Sequence, residues 1–196
     1  YQTENKSLVA AVDCTGHGVP GAFMSLVGAN GLNAAVKEHR KTQPGPILDE
    51  LNKFVSDSLN KASEDNTVRD GMDLSFVTID YTNMELEFSG ANNPLYIIRN
   101  EEFLITKADK FAIGSFEPET NHYRTTLVKI QKGDVIYLFT DGYADQFGGE
   151  KGKKYLYKHF RDTLLSVHKK SMTEQHNYLK DQIENWQGPY EQVDDI

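Results

Sequence analysis

Four strand-like runs follow one another in the middle of the chain, "LSFVTIDY", "ELEFSGA", "PLYIIRN" and "FLITK", with turns at Thr82 and Asn83 and at Asn100 and Glu101. Parallel strands need crossovers of about a dozen residues or more, so runs joined by such short turns must pair antiparallel, as a meander. After a glycine-containing loop, "HYRTTLVKI" and "DVIYLFTDG" read as a further hairpin about residues 131–133. That much strand needs covering, and the rest of the chain supplies the cover.

Residues 8–12 read as a buried strand, and Pro20 suits the first turn of a helix running to about Glu38, because its missing N–H is one the helix leaves unpaired anyway. This helix is apolar on most sides (Ala22, Phe23, Leu26, Val27, Leu32, Val36), which predicts sheet against one face and a second helix against the other. After "KTQPGP", a second helix carries Ile47, Leu51, Phe54, Val55 and Leu59 on one stripe and Asp49, Lys53, Asp57 and Lys61 on its back. Two more amphipathic helices close the chain, around Leu156, Phe160, Leu164 and Val167 and around Leu179, Ile183 and Trp186. Ser171 and Glu174 have the spacing of a capping box for the last. Helices in pairs at both ends of a run of strands give an α+β fold, with two stacked antiparallel sheets flanked by helices.

With 196 residues and no linker or repeat, a single domain spanning 1–196 is expected. A net charge of −8, with no basic tail, predicts that nucleic acid is not a partner. No apolar run reaches the ~18 residues of a membrane span. One cysteine cannot form an intramolecular disulfide, which fits a cytoplasmic setting, including that of a cytoplasmic domain in a larger, membrane-anchored sensor. Residue 1 is not Met and a strand begins close to it, so the chain reads as an excerpt.

Two strands end alike, in an apolar run, an aspartate and then small residues: "AAVDCTGHG" and "IYLFTDGYAD". Carboxylates fixed at strand ends can hold hard divalent cations, and an acidic pair, Asp194 and Asp195, stands at the end of the chain. If Asp13, Asp141 and one of that pair meet, the site is all-oxygen and suits Mg²⁺ or Mn²⁺. Taken singly, each aspartate reads first as a strand-end turn former and only second as a ligand. Gly16 and Gly18 let the backbone fold tightly beside a ligand, and His17 between them is either a donor to phosphate or a turn residue bonded to backbone. Asp73, Asp145, Lys169, Lys170 and the other histidines read as solvated surface. A nucleotide-binding reading is weak, because "GHGVPG" lacks the lysine of a phosphate-binding loop.

The order of "DCTGHGVPGA", "YLFTDGYADQFG" and a terminal "DDI", with "DLSFVTID" and "LEFSGANNPLYIIR" between them, resembles the metal-dependent protein phosphatases of the PPM superfamily, in the SpoIIE-like branch. The resemblance spans nearly the whole chain. It implies an αββα sandwich and a serine/threonine phosphatase that uses two Mn²⁺ or Mg²⁺ ions. Asp13 would bridge the ions, Cys14 would lend its carbonyl oxygen, and Asp141 and Asp194 would ligate, with Asp195 the alternative to Asp194. Gly16 and Gly18 would flank the substrate, and the Cys14 thiol would be dispensable. Implied partners are a phosphorylated protein substrate of the anti-sigma-factor-antagonist kind, an upstream sensor domain and a second copy in a homodimer. Two departures stand out. No aspartate precedes Asp13 where the family has one on a strand, and the chain stops where the family adds a last strand, so the domain is expected to lack its first and last strands and to bind metal weakly. The alternative is a module of the same fold that binds a regulatory partner without catalysis.

Overall fold

The computed structural model describes residues 1–16, 18–62, 71–114 and 121–196. Strand β1 (Lys6–Cys14) leads into helix α1 (Gly18–Asn33), which ends in a π-helical turn at Ala34–Glu38, and α2 (Pro44–Ala62) follows. Then come β2 (Met72–Asp80), β3 (Glu85–Ala91), β4 (Leu95–Arg99), β5 (Glu102–Thr106), β6 (Thr126–Lys129) and β7 (Val135–Tyr137). The last part holds the short helix α3 (Gly142–Asp145), a small hairpin of β8 (Phe147–Gly148) and β9 (Lys153–Lys154), and helices α4 (Leu156–Val167) and α5 (Met172–Gln187).

The strands form two antiparallel sheets, one in the order β1-β2-β3-β6 and one in the order β5-β4-β7. Period-two alternation divides each strand between two environments. Val77, Leu86 and Phe88 of the first sheet meet Leu95 and Ile97 of the second, which makes a dry layer between the sheets. The opposite face of the first sheet (Leu8, Leu74, Phe76) packs on Met24, Val27, Leu48 and Leu51 of α1 and α2. Tyr96 and Ile98 on the far side of the second sheet pack on Phe160, Leu164 and Ile183 of α4 and α5. The layers are therefore helix, sheet, sheet, helix, as the α+β reading expects.

Two expectations are corrected and a third is narrowed. The central run is not one meander: β3 and β4 lie in different sheets, and the chain crosses between them at Asn92, which takes a left-handed conformation (φ 60°). Likewise β6 and β7 share a tight turn, with the Asp134 amide donating to Gln131 O, yet β6 pairs with β3 and β7 with β4. The turn chemistry was legible; which sheet each arm joins depends on distant partners. Third, α1 meets the sheet and α2 as expected, but its apolar surface extends beyond those two covered sides. The helix buries Gly21, Met24, Val27, Gly28 and Gly31, whereas Val19, Phe23 and Leu26 remain 84%, 49% and 59% exposed.

The buried stripe of α1 is largely glycine because the helix lies very close to its neighbours. A Cβ on Gly31 would stand 2.8 Å from Leu51 Cδ1, and one on Gly28 would stand 2.9 Å from Met72 Cε. At the other end of the chain, Ser171 Oγ accepts from the Glu174 amide while the Glu174 carboxylate accepts from the Ser171 amide, the expected capping box of α5.

Candidate metal centre

Asp13 is the next-to-last residue of β1 and lies directly opposite Asp73 of β2. Leu8, Ala10, Val12 and Cys14 turn toward the helices, so Asp13, alternating with them, turns toward the space between the sheets. β1 leaves the sheet through a tight loop held by Thr15, whose amide and hydroxyl both donate to Gly71 O and whose Oγ1 accepts from the Gly71 amide. Gly16 (φ 90°) and Gly18 (φ 64°) take the left-handed conformations this loop needs. Gly21, one turn into α1, rests on the loop so tightly that a Cβ would come 2.6 Å from Gly16 O.

Asp141 follows β7 in an extended stretch and sits at the N-cap of α3, but its side chain makes no capping bond and is free to face the cleft. Asp194 comes from the C-terminal tail. That tail is tied down by the Gln146 side chain, which donates to Glu191 O (2.9 Å), and by Thr140 Oγ1, which donates to Asp195 O (3.1 Å). It passes over Gly142 at a distance no side chain would permit, since a Cβ there would stand 2.2 Å from Asp195 O.

These three segments bring one carboxylate oxygen each from Asp13, Asp141 and Asp194 within 4.8 Å of one another. Oxygens bound to one hard cation at about 2.1–2.4 Å can be no farther apart than roughly twice that, so the triad fits a shared ion. Asp73 and Asp195 also line the cleft, of about 800 Å³, together with Cys14, Thr15, Gly16, Gly18 and Ser25, and no lysine or arginine is among its described lining residues. The acid pair at the chain end thus divides: Asp194 joins the triad, while Asp195 stands in the wall and donates its amide to Asp194 Oδ1 (2.8 Å).

The electrostatics give the same reading. Partial burial, then the charges of Asp194 and Asp141, raise the Asp13 pKa to about 7. Asp141 is also raised, chiefly by burial, although a hydrogen bond from Asp13 offsets part of the rise. One proton between the two carboxyls thus does what a cation would do better. Burial likewise raises Asp73, against a hydrogen bond from Asn92 Nδ2 (2.8 Å). Acids collected without counter-charge, with oxygen donors only, suit Mg²⁺ or Mn²⁺.

Other residues fall differently. The Cys14 side chain packs with the helical core, and burial raises its pKa, so it is a thiol rather than a nucleophile. His17 lies outside the described residues. Asp145 is surface, as expected, in an ion pair with Lys154 (2.7 Å). Asp73 is the correction: it reads as solvated but faces the cleft. The signal that reveals it is the β1–β2 register, which sequence does not print.

An acid raised in the folded state costs stability above its ordinary pKa, and that cost is absent below it. Metal-free protein in which Asp13→Asn replaces the acid should therefore melt a few degrees higher than wild type at pH 8, with the gain gone near pH 4. Added Mn²⁺ should raise the melting temperature of the wild type alone. Thermal melts in chelator at both pH values check this, and an equal gain at pH 4 would contradict the electrostatic cause. Gly142→Ala should force the tail off its seat and weaken Mn²⁺ binding by calorimetry at least tenfold, with far-ultraviolet circular dichroism unchanged.

Comparison with known proteins agrees with the geometry. Residues 3–196 match the family described as Stage II sporulation protein E (SpoIIE). Among solved structures, the SiaA-PP2C domain of Pseudomonas aeruginosa is 30% identical with a TM-score of 0.89, covering 99% of this chain and 74% of that one. The PP2C phosphatase domain of SpoIIE from Bacillus subtilis, solved with a fragment of its regulatory domain, shares the fold at 16% identity and a TM-score of 0.73, over 97% of this chain and 52% of that one. The RsbU and RsbW domains of Rv1364c from Mycobacterium tuberculosis do so at 17% identity and a TM-score of 0.68, over 92% of this chain and 48% of that one. No curated protein matches significantly. The chain belongs to the SpoIIE family and is a metal-dependent phosphatase domain of the PP2C type.

Proposed function

We propose that this domain removes phosphate from serine or threonine of a phosphoprotein in bacterial signalling, with Mn²⁺ or Mg²⁺ in the cleft. The observation that carries the proposal is the meeting of Asp13, Asp141 and Asp194 from three distant segments in one cleft free of described cationic residues. Bound divalent ions supply an activated water and counter-charge for in-line displacement at phosphorus. Asp13, Asp141 and Asp194 would hold these ions, and Cys14 would lend its backbone oxygen. Gly16 and Gly18 leave room for the phosphoryl group beside the loop. No described helix is long and apolar enough to cross a membrane. The proposed setting is cytoplasmic, with an upstream sensor and a substrate of the anti-sigma-factor-antagonist class, as the resemblance implies; the neighbours solved with a regulatory domain or an RsbW domain support a regulatory partner. The exposed apolar side of α1 offers a face for a homodimer.

Both sheets have an open edge beside the cleft. Tyr1 and Leu8 exchange backbone hydrogen bonds and Gln2 pairs with Ser7, so chain preceding Tyr1, in the same register, would run along β1. Asp13 lies five residues beyond Leu8, which places a residue five before Tyr1 opposite it. At the other end, Ile196 lies in an apolar groove of about 530 Å³ beside Tyr137 and Phe139, where following residues would flank β7. Strands added there would be the first and last of a longer domain, and an acid on the first would strengthen the second ion's site.

Asp141→Asn should lower Mn²⁺-dependent phosphate release from an aryl phosphate by at least 100-fold and abolish the tighter calorimetric Mn²⁺ site. Unchanged turnover would remove Asp141 from its assigned role. Wild-type protein that binds Mn²⁺ yet releases no phosphate would instead favour a binding module without catalysis.

A further inference from the structure

The described walls of the cleft offer carboxylates and small residues, so nothing there grips the protein that carries the phosphate. One cationic segment is tied through Asp145 to Asp141. Between Asp145 and Arg161 the chain carries five cations (Lys151, Lys153, Lys154, Lys158, Arg161) against two acids (Asp145, Glu150), within a chain of net charge −8. Lys151, Lys153 and Lys158 are exposed and have no acidic partner among the described residues, while Lys154 is held by Asp145 (2.7 Å).

This segment is fixed to both arms of the cleft. The Asp145 amide donates to Asp141 O (2.9 Å), so the Lys154 ion pair is anchored one helical turn from a triad carboxylate. Gln146, between α3 and β8, donates to Glu191 O, three residues before Asp194. The hairpin is also rigid. The Gly149 amide donates to Trp186 O (2.7 Å), Trp186 Nε1 donates to Gln146 O (3.1 Å), and Gly152 lies so close to Tyr190 that a Cβ would come 2.8 Å from its hydroxyl. Lysines on a strapped-down hairpin add no backbone ordering cost when they pair with a ligand, so only their side-chain entropy is lost.

We propose that the β8–β9 hairpin and the first turn of α4 form a basic docking arm, which receives acidic residues flanking the phosphorylated residue of the protein substrate. The proposal rests on the phosphatase reading and adds the class of substrate. Screening confines the arm's field to about 8 Å at physiological ionic strength, enough for a short acidic segment; a long polyanion would meet the acidic remainder of the surface.

The test measures Mn²⁺-dependent dephosphorylation of two synthetic phosphoserine peptides, one flanked by glutamates and one by alanines, with an aryl phosphate as a third substrate. The wild type should show a KM at least fivefold lower for the glutamate-flanked peptide, an advantage that shrinks as salt rises. In the Lys151→Glu, Lys153→Glu double variant that KM should rise about tenfold, with kcat and aryl phosphate turnover within twofold of wild type. Lys169→Glu with Lys170→Glu makes the same charge change at the far end of α4 and should leave the preference intact. Equal KM values for the two peptides in the wild type, or equal losses in the two double variants, would overturn the docking arm while leaving the phosphatase reading standing. Absence of aryl phosphate turnover in the wild type would overturn that reading first.

Discussion

The structure turns on holding like charges together. Asp13, Asp141 and Asp194 come from the first strand, the end of the seventh and the tail of the chain, and their oxygens lie within 4.8 Å in a partly buried cleft. Carboxylates at such distances repel strongly once water is excluded, and burial first, with that repulsion added, raises the Asp13 pKa to about 7. The fold must therefore press them together by means unrelated to their own attraction. A divalent cation then converts the largest local destabilisation into a binding site.

Backbone contact supplies the pressing. The tail that bears Asp194 lies against Gly142, and the loop after Asp13 lies against Gly21, each at a separation that excludes even a methyl group. Both contacts bring main chain to main chain beside the cleft, so side-chain motion does little to loosen them. Behind them, the layer of Val77, Phe88, Leu95 and Ile97 fixes the two sheets, and with them the strand ends that carry Asp13 and Asp141. Function at the surface depends on packing one layer down.

Much of this was legible in the sequence because it is encoded locally. The seven main strand runs, the helix stripes and the Ser171 capping box follow from period and turn chemistry, and Asp13 and Asp141 announce themselves by ending apolar runs. What stayed hidden is non-local. The split of β3 from β4 and of β6 from β7 is decided by partner strands, and the place of Asp73 is decided by the β1–β2 register. The apolar length of α1 did not show which of its residues stay in solvent, because a buried glycine stripe and solvent-facing Val19, Phe23 and Leu26 look alike in composition. Asp194 and Asp195 differ only in which way a tied-down tail turns. The lysines after Asp145 follow no motif, and only the structure ties one of them, Lys154, to Asp145 one helical turn from Asp141.

The most direct measurement is anomalous diffraction at the manganese edge from crystals of the domain grown with Mn²⁺. The account predicts a peak about 2.2 Å from oxygens of Asp13, Asp141 and Asp194 together. A cleft without a peak at saturating Mn²⁺, or a peak bound by Asp195 with Asp13 turned away, would contradict it.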